Sequence, residues 1–219
     1  MVFSRGEEGT RDLVLLGRVN KLENGVSKAG RNWARLTMTV VEYDADMDLD
    51  VDNQYEIMFI DNESELYGPQ KNAEQVQKMK PKEGSVVVVR CSESEKDDKV
   101  SYFGSRMYYP GNVFNLKQSK KGLGCTIVTG VMCPNEEKNT VSIPIRVWNK
   151  ETATNDTVWY TLTDENGEIT PADMARLSEL NDNGKHKIAS FVCDTFQLKE
   201  SSTEEGKFVT GTYKSFVIA

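Results

Sequence analysis

The sequence contains two stretches of similar pattern in its two halves. The first, residues 85–91, is an apolar run that leads through a charged loop to residues 100–104. The second, residues 187–193, leads through another charged loop to residues 207–211. Each stretch follows a short helical pattern and two strand-like segments. A repeat of about one hundred residues predicts two copies of one small domain rather than one large domain.

The length of the chain agrees with this interpretation. Its 219 residues are enough for two small domains that each bury a core. The sequence has no apolar run of about eighteen residues, as a membrane-spanning helix would require. Residues 1–10 lack the hydrophobic centre of a signal peptide and are predicted to form a short polar leader. The composition therefore predicts a cytoplasmic protein.

No residue pattern in the sequence indicates catalysis or a cofactor. The four cysteines, Cys91, Cys125, Cys133 and Cys193, show no C-x-x-C spacing, and His186 is the single histidine. A zinc site needs a tighter cluster of such ligands, so we expect no metal and no other cofactor. Phosphate-binding glycine loops and paired catalytic carboxylates are also missing from the sequence. We therefore predict that the protein is not an enzyme, with Cys91 and Cys193 as small buried hydrophobic residues.

The charge of the chain limits how it could bind nucleic acid. Lysine and arginine number 27 against 34 aspartates and glutamates, for a net charge of −7. This balance argues against a protein that grips duplex DNA with its whole surface. It leaves room for a basic groove on an acidic body, because affinity depends on the local potential.

Each half of the sequence predicts five strands with one helix between the third and the fourth. In the first half the predicted strands are residues 12–22, 32–43, 55–60, 85–91 and 100–109, and the helix is residues 72–79. In the second half the strands are residues 124–133, 140–149, 157–163, 188–198 and 208–217, and the helix begins at Thr170 and Pro171. The predicted divisions are a leader at 1–10, domain 1 at 11–117, a linker at 118–122 and domain 2 at 123–219.

This strand order is that of the OB-fold, a small Greek-key barrel. We therefore predict an all-β protein made of two tandem five-stranded OB-fold barrels, with one short helix in each repeat. The segment Leu16-Gly17-Arg18-Val19-Asn20, the basic loop with two glycines that follows, and Asn32-Trp33-Ala34-Arg35-Leu36-Thr37 resemble the opening of bacterial and phage single-stranded DNA-binding proteins.

The resemblance implies a function and an assembly. Proteins of this family bind single-stranded DNA without strong sequence specificity, and they serve replication, recombination or repair. Their usual tetramer contains four barrels, so a chain with two barrels is expected to form a homodimer. The resemblance thus implies single-stranded DNA, or RNA on the same platform, as the partner.

Binding of this kind needs aromatic faces for the bases and cations for the phosphates. In residues 32–43, alternation places Trp33 and Arg35 on the face opposite Leu36, Met38 and Val40. The candidates in domain 1 are Arg18, Lys28, Arg31, Trp33, Arg35, Tyr102, Arg106 and Tyr108. Alternation in the fifth strand places the last three on one side together with Gly104.

The candidates in domain 2 are Arg146, Trp148, Lys150 and Trp159. The alternative for each ring is a packing residue or a contact between barrels. The acidic segment at residues 44–52 lacks the spacing of an EF-hand, so it is predicted to be a solvated loop that repels phosphates. For the whole protein, the alternative is an OB-fold module for protein–protein interaction, whose binding would depend less on salt.

Overall fold

The computed structural model describes residues 10–44, 46–47, 49–64, 68–97, 99–116, 125–193, 199–203 and 206–219. The chain divides into two compact units, one that ends at Tyr109 and one that runs from Pro110 to Ile218. The linker predicted at residues 118–122, and the leader apart from Thr10, lie outside the described residues. Among the described residues, no helix has the length and apolar character needed to cross a membrane.

The first unit is a closed five-stranded barrel. Its elements are β1 (Thr10–Val26), β2 (Asn32–Asp44), β3 (Leu49–Ile60), the short hairpin of β4 (Asn62–Ser64) and β5 (Gly68–Gln70), the helix α1 (Asn72–Met79), β6 (Val86–Lys96) and β7 (Lys99–Tyr108). The barrel order is β1-β2-β3-β7-β6, and β6 pairs with β1 to close it. All pairs are antiparallel except β3 with β7, which is parallel. The predicted OB-fold is confirmed.

Strand β2 shows why this sequence forms the barrel wall. Ala34, Leu36, Met38 and Val40 are completely buried in the core, and the residues between them are partly exposed. A period of two is what a strand with one buried face requires. The predicted faces of this strand are therefore confirmed, and Trp33 lies on the outer face of the barrel.

Strand β7 departs from simple alternation. Tyr102 packs against the core and Gly104 is buried beside the ring of Phe59. The register then shifts, because Arg90 of β6 pairs with Arg106 whereas the next residue of β6 pairs with Gly104. This β-bulge at Ser105 adds one residue and reverses the phase of the strand.

Because of this bulge, the sequence-based prediction of which β7 residues share one face is wrong. Alternation would place Tyr102, Gly104, Arg106 and Tyr108 on one side. In the structure Met107 is completely buried, so Arg106 and Tyr108 have the opposite phase from Tyr102.

Helix α1 spans the predicted residues, and side-chain hydrogen bonds link it to Asp61 and to strand β7. Asp61 accepts hydrogen bonds from the backbone N–H groups of Ala73 and Glu74 at 2.8 and 3.1 Å. The Gln75 side chain donates to the carbonyl of Met107 at 3.0 Å and accepts from its N–H at 3.4 Å. Gln75 thus pairs with the part of β7 that lies beyond its short pairing with β3.

The second unit repeats the strand order with its long strands divided between two sheets. Its elements are β8 (Asn112–Leu116), β9 (Cys125–Val131), β10 (Cys133–Asn135), β11 (Thr140–Asn149), β12 (Thr154–Thr163), α2 (Pro171–Ser178), β13 (Ile188–Cys193), β14 (Lys199–Thr203), β15 (Gly206–Thr212) and β16 (Ser215–Ile218). One sheet has the order β10-β11-β12-β15-β14, and the other has the order β16-β13-β9-β8.

Adjacent strand pieces combine into the OB order. β9 and β10 form the first strand, β13 and β14 the fourth, and β15 and β16 the fifth. The third and fifth strands pair in parallel, as in the first unit. The helix begins as predicted, because the Thr170 hydroxyl accepts a hydrogen bond from the Asp173 N–H at 3.2 Å.

Strand β8 was not expected from the sequence, which assigns its residues to domain 1. In the structure β8 pairs along its length with β9, and the second compact unit already begins at Pro110. A five-residue strand of mixed composition carries no local sign of which sheet it will join.

Candidate nucleic-acid interface

One row of side chains crosses the outer face of the first barrel. The pairings Glu23 with Arg35, Arg35 with Met58, Met58 with Phe103 and Phe103 with Ser92 link all five strands. A second row places Gly25, Trp33 and Ile60 beside it. Directly paired residues lie about 5 Å apart, so these side chains form one continuous surface.

The indole ring of Trp33 lies close against Gly25 of the neighbouring strand. A Cβ atom on Gly25 would lie 3.1 Å from the indole ring. The carbonyl of Trp33 accepts a hydrogen bond from the Gln77 side chain of α1 at 3.1 Å. The ring is half-buried, so it packs on the barrel and also presents surface to solvent.

Two cations stand in the loop next to Trp33. Lys28 and Arg31 are exposed in the turn between β1 and β2. The turn is held by the Ser27 hydroxyl, which accepts from the Arg31 N–H at 3.1 Å, and by Gly30 with a φ of 74°. Neither cation forms an ion pair with any residue in the described part of the chain. The structure thus brings Lys28, Arg31 and Trp33 together at one end of the sheet.

Arg35 is on the predicted face, but carboxylates already neutralise it. Its guanidinium lies 3.4 Å from Glu56 and 4.0 Å from Glu23. The Lys21 ammonium, at 2.9 Å, and more weakly Arg35 hold the pKa of Glu23 below its usual value. Exposed ion pairs of this kind contribute little, because solvent screens them, so a phosphate could displace the glutamates from Arg35.

Phe103 is a surface aromatic residue that the sequence analysis missed. Its side chain is 45% exposed and lies between Met58 and Ser92 in the outer row. Ile60, on the neighbouring row, is 39% exposed. Alternation places Phe103 opposite Tyr102 and Gly104, but the burial of Gly104 that makes this the outer face is visible only in the structure.

Tyr102 belongs to the core side of β7 rather than to a stacking surface. Its ring meets Tyr55 edge to face, with 5.0 Å between centroids. Burial, and then the nearby carboxylate of Glu93, raise the pKa of Tyr102 to about 12. We therefore remove Tyr102 from the candidate interface.

The remaining candidates of the first unit lie away from Trp33. Arg18 is exposed and pairs with Thr39, four residues along β2 from Arg35, or about 14 Å. Arg106 is exposed and Tyr108 half-buried on the outer side of β7, near the start of α1. The exposed acidic residues of the β2–β3 turn lie at the opposite end of the β2–β3 hairpin from Trp33.

The second unit carries its candidates on a projecting hairpin. Residues 141, 143 and 145 of β11 are buried, whereas Arg146, Val147 and Trp148 are all exposed. Both faces of the β11–β12 ribbon are therefore open to solvent beyond Ile145. Trp148 is 57% exposed, the highest value among the described aromatic residues that are exposed.

The tip of this hairpin is ordered by one asparagine. The Asn149 side chain donates to Asp156 at 2.8 Å and accepts from the Glu151 N–H at 2.9 Å. Lys150, the next residue, is exposed. The hairpin thus carries Arg146, Trp148 and Lys150 at exposed positions.

Trp159 lies on the same face, nearer the core. It pairs directly with Pro144, and Trp148 is four residues farther along β11, about 14 Å away. Trp159 is half-buried, and Tyr160 on the opposite face packs against the core. The predicted phase of Trp159 agrees with this arrangement.

The described residues offer no constellation for metal binding. No group of three or more His, Cys, Asp or Glu residues within the described ranges could hold an ion. His186 is exposed, and the side chains of Cys91 and Cys193 are buried. The predicted burial of these two cysteines is confirmed.

No protein-family model matches the chain, and no curated protein matches it. Among solved structures, the chain is similar to the protein PriB from Ralstonia solanacearum, with 12% identity and a TM-score of 0.34 over 45% of this chain and 95% of that one. It is also similar to the single-stranded DNA-binding protein from Thermus aquaticus, with 11% identity and a TM-score of 0.32 over 95% of this chain and 92% of that one. Because the identities and TM-scores are this low, we infer neither function nor site residues from them.

Proposed function

We propose that the chain binds single-stranded nucleic acid, with single-stranded DNA as its main ligand, through the outer sheet faces of both domains. One observation carries the proposal. The three tryptophans of the chain and Phe103 lie on the outer faces of the strands instead of in the cores. Large aromatic residues outside a core, with exposed cations beside them, suit a ligand that has flat rings and negative charges.

The proposed contacts divide by chemistry. Trp33, Phe103, Trp148 and Trp159 stack on bases, at roughly 1–3 kcal/mol for each base. Cations beside them contact phosphates: Lys28, Arg31, Arg146 and Lys150, with Arg35 after exchange of its glutamates. Stacking does not distinguish the bases, so we expect weak sequence specificity. A role in replication, recombination or repair and a cytoplasmic location remain predictions of the sequence analysis.

The first test is a titration of intrinsic tryptophan fluorescence with oligo-dT at low and at high salt. Strand binding predicts strong quenching, because the tryptophans stack, and an affinity that falls steeply as salt rises. A parallel titration with oligo-U compares RNA with DNA on the same platform. Fluorescence and polarisation of labelled DNA that both stay unchanged would contradict the proposal.

Trp148 offers the sharpest variant, because it is the most exposed ring. We expect Trp148→Ala to weaken oligo-dT binding about 5- to 150-fold, which corresponds to the loss of one stacked base. Leu180→Ala is the matched control, since Leu180 is 49% exposed in the same domain but outside the β11–β12 face. If the folded Trp148→Ala variant binds oligo-dT as tightly as the control does, Trp148 is not part of the interface.

A protein–protein interaction module is the second candidate, and the first barrel favours it. Met58, Ile60 and Phe103 form an apolar stripe, and the carboxylates of Glu23 and Glu56 on the same face disfavour phosphates. An apolar interface should depend weakly on salt. The first test therefore separates the two candidates, because only a strand binder is expected to bind oligo-dT with an affinity that falls steeply as salt rises.

A further inference from the structure

A cleft of about 750 Å³ lies between the start of α1 and the β6–β7 ribbon. It is lined by Arg90, Ser105 and Arg106 of the ribbon and by Lys71 and Asn72 at the start of α1. The volume is in the range of pockets that hold small ligands. Of the lining residues that the structure describes, three are cations and none is a carboxylate, although the chain as a whole has a net charge of −7.

The two arginines of the cleft face each other across the strands. Arg90 and Arg106 are direct partners in the β6–β7 register, and both are exposed on the outer face. Like charges in such positions destabilise a sheet. Neither guanidinium forms an ion pair with any residue that the structure describes. An anion between them would convert this repulsion into attraction.

The β-bulge of β7 creates this arrangement. Without the extra residue at Ser105, alternation from Tyr102 would turn Arg106 toward the core. The Ser105 hydroxyl donates to the Arg90 carbonyl at 3.2 Å and links the bulge to β6. Bulges commonly re-aim a side chain next to a functional site.

The helix itself does not account for an anion site. Asp61 already accepts the N–H groups of Ala73 and Glu74 at the start of α1. The Lys71 ammonium lies 3.0 Å from Glu74, so it stands at the rim as a partly neutralised charge. Arg90 and Arg106 therefore carry the binding, and a guanidinium fork matches the oxygens of a phosphate group.

An exposed ring beside the arginine pair indicates which phosphate fits. Phe103 pairs with Ser92, and Arg90 is two residues from Ser92 on the same face, or about 7 Å along β6. A base stacked on Phe103 would therefore bring its own backbone phosphate near the arginines. An aromatic ring for a base, next to two arginines for a phosphate, is a surface that complements a nucleotide within a strand.

We propose that the cleft between α1 and the β6–β7 ribbon binds a backbone phosphate of a nucleic-acid strand between Arg90 and Arg106. The site rests on the proposed function and extends it, because it continues the binding surface beyond Phe103 and around the barrel. Arg90, Lys71 and the bulge residue Ser105 were not among the sequence-based candidates.

The test compares Arg90→Gln/Arg106→Gln with Lys80→Gln/Lys82→Gln in the full chain. Both lysines of the control are exposed and lie outside the cleft, so the two variants lose the same charge from the same domain. Oligo-dT affinity is measured as a function of salt by polarisation, with circular dichroism to verify folding. We expect the arginine variant to bind roughly tenfold more weakly. Its salt slope should fall by about 0.7 for each phosphate that the variant no longer neutralises.

The outcomes separate the site from the proposed function. If the folded arginine variant has the same oligo-dT affinity and salt slope as the lysine control, the proposed phosphate site in the cleft is wrong. The proposal that the chain binds single strands is unaffected by that result. A wild-type chain that binds no oligonucleotide would overturn both. A third outcome is that the arginine variant loses binding to poly-glutamate or to inorganic phosphate but binds oligo-dT as the wild type does. That result would assign the cleft to another anion and also reject the proposal.

Discussion

Gly104 shows how a single residue shapes the candidate interface. A Cβ atom at this position would lie 2.2 Å from the ring of Phe59, which is completely buried. The absent side chain lets β7 approach the core closely. With Gly104 facing inward, Phe103 faces outward, and the bulge that follows aims Arg106 outward as well.

We expect Gly104→Ala to destabilise the first domain by about 1–3 kcal/mol, because the extra methyl group overpacks the core against Phe59. Urea unfolding followed by Trp33 fluorescence in a background with Trp148 and Trp159 replaced by Phe measures this loss. Ser101→Ala, at an exposed position of the same strand, is the control and should change stability by less than about 0.5 kcal/mol. Equal midpoints for the two variants would mean that β7 can move away from Phe59.

At the scale of elements, α1 is too short to be stable by itself. Its eight residues are fewer than an isolated helix needs in water. Ala73 and Val76 are buried in the barrel core, and side chains from other elements satisfy its first N–H groups. The helix then covers the free edge of β7 through Gln75. In this way α1 supports the strand that carries Phe103 and Arg106.

Gln75→Ala should remove both hydrogen bonds to Met107 and cost about 1–3 kcal/mol, because the backbone groups of a buried residue lose their partner. Hydrogen exchange of the Met107 amide reports the change directly, and we expect it to be faster in the variant. Gln77→Ala, which removes the hydrogen bond to the Trp33 carbonyl instead, is the matched control. Protection of Met107 that is the same in both variants would show that Gln75 does not hold this edge.

At the scale of the whole molecule, charge is distributed unevenly over a chain with an acidic balance. The first barrel has acids at the β2–β3 turn and exposed cations in the β1–β2 loop and beside α1. The second unit places Arg146 and Lys150 on its projecting hairpin. A net charge of −7 therefore does not describe the potential that a strand would meet at either interface.

The homodimer implied by the family resemblance remains a prediction for the whole chain. Two OB-folds in each chain would give a dimer four binding faces. Size-exclusion chromatography with light scattering at micromolar concentration should give a mass twice that of the 24.7 kDa chain. A mass of one chain across the accessible concentrations would count against the dimer, without bearing on strand binding by a monomer.

The sequence by itself determined the features that depend on local patterns. The alternation of β2, the bounds of α1 and the Thr170 cap all follow from residues next to one another in the chain, and the structure agrees with each. The five-strand order of the OB-fold also follows from the order of such segments. Local patterns therefore sufficed to place Trp33, Trp148 and Trp159 on outer faces.

The tertiary structure alone decided the features that depend on register between distant strands. The burial of Gly104 placed Phe103 rather than Tyr102 on the outer face of β7, the bulge at Ser105 turned Arg106 outward, and pairing across β6 and β7 brought Arg90 opposite Arg106. Arg35 acquired its two glutamates from β1 and β3. One inserted residue reverses the face of everything after it, and cross-strand partners are set by closure of the barrel, so no local period in the sequence contains this information.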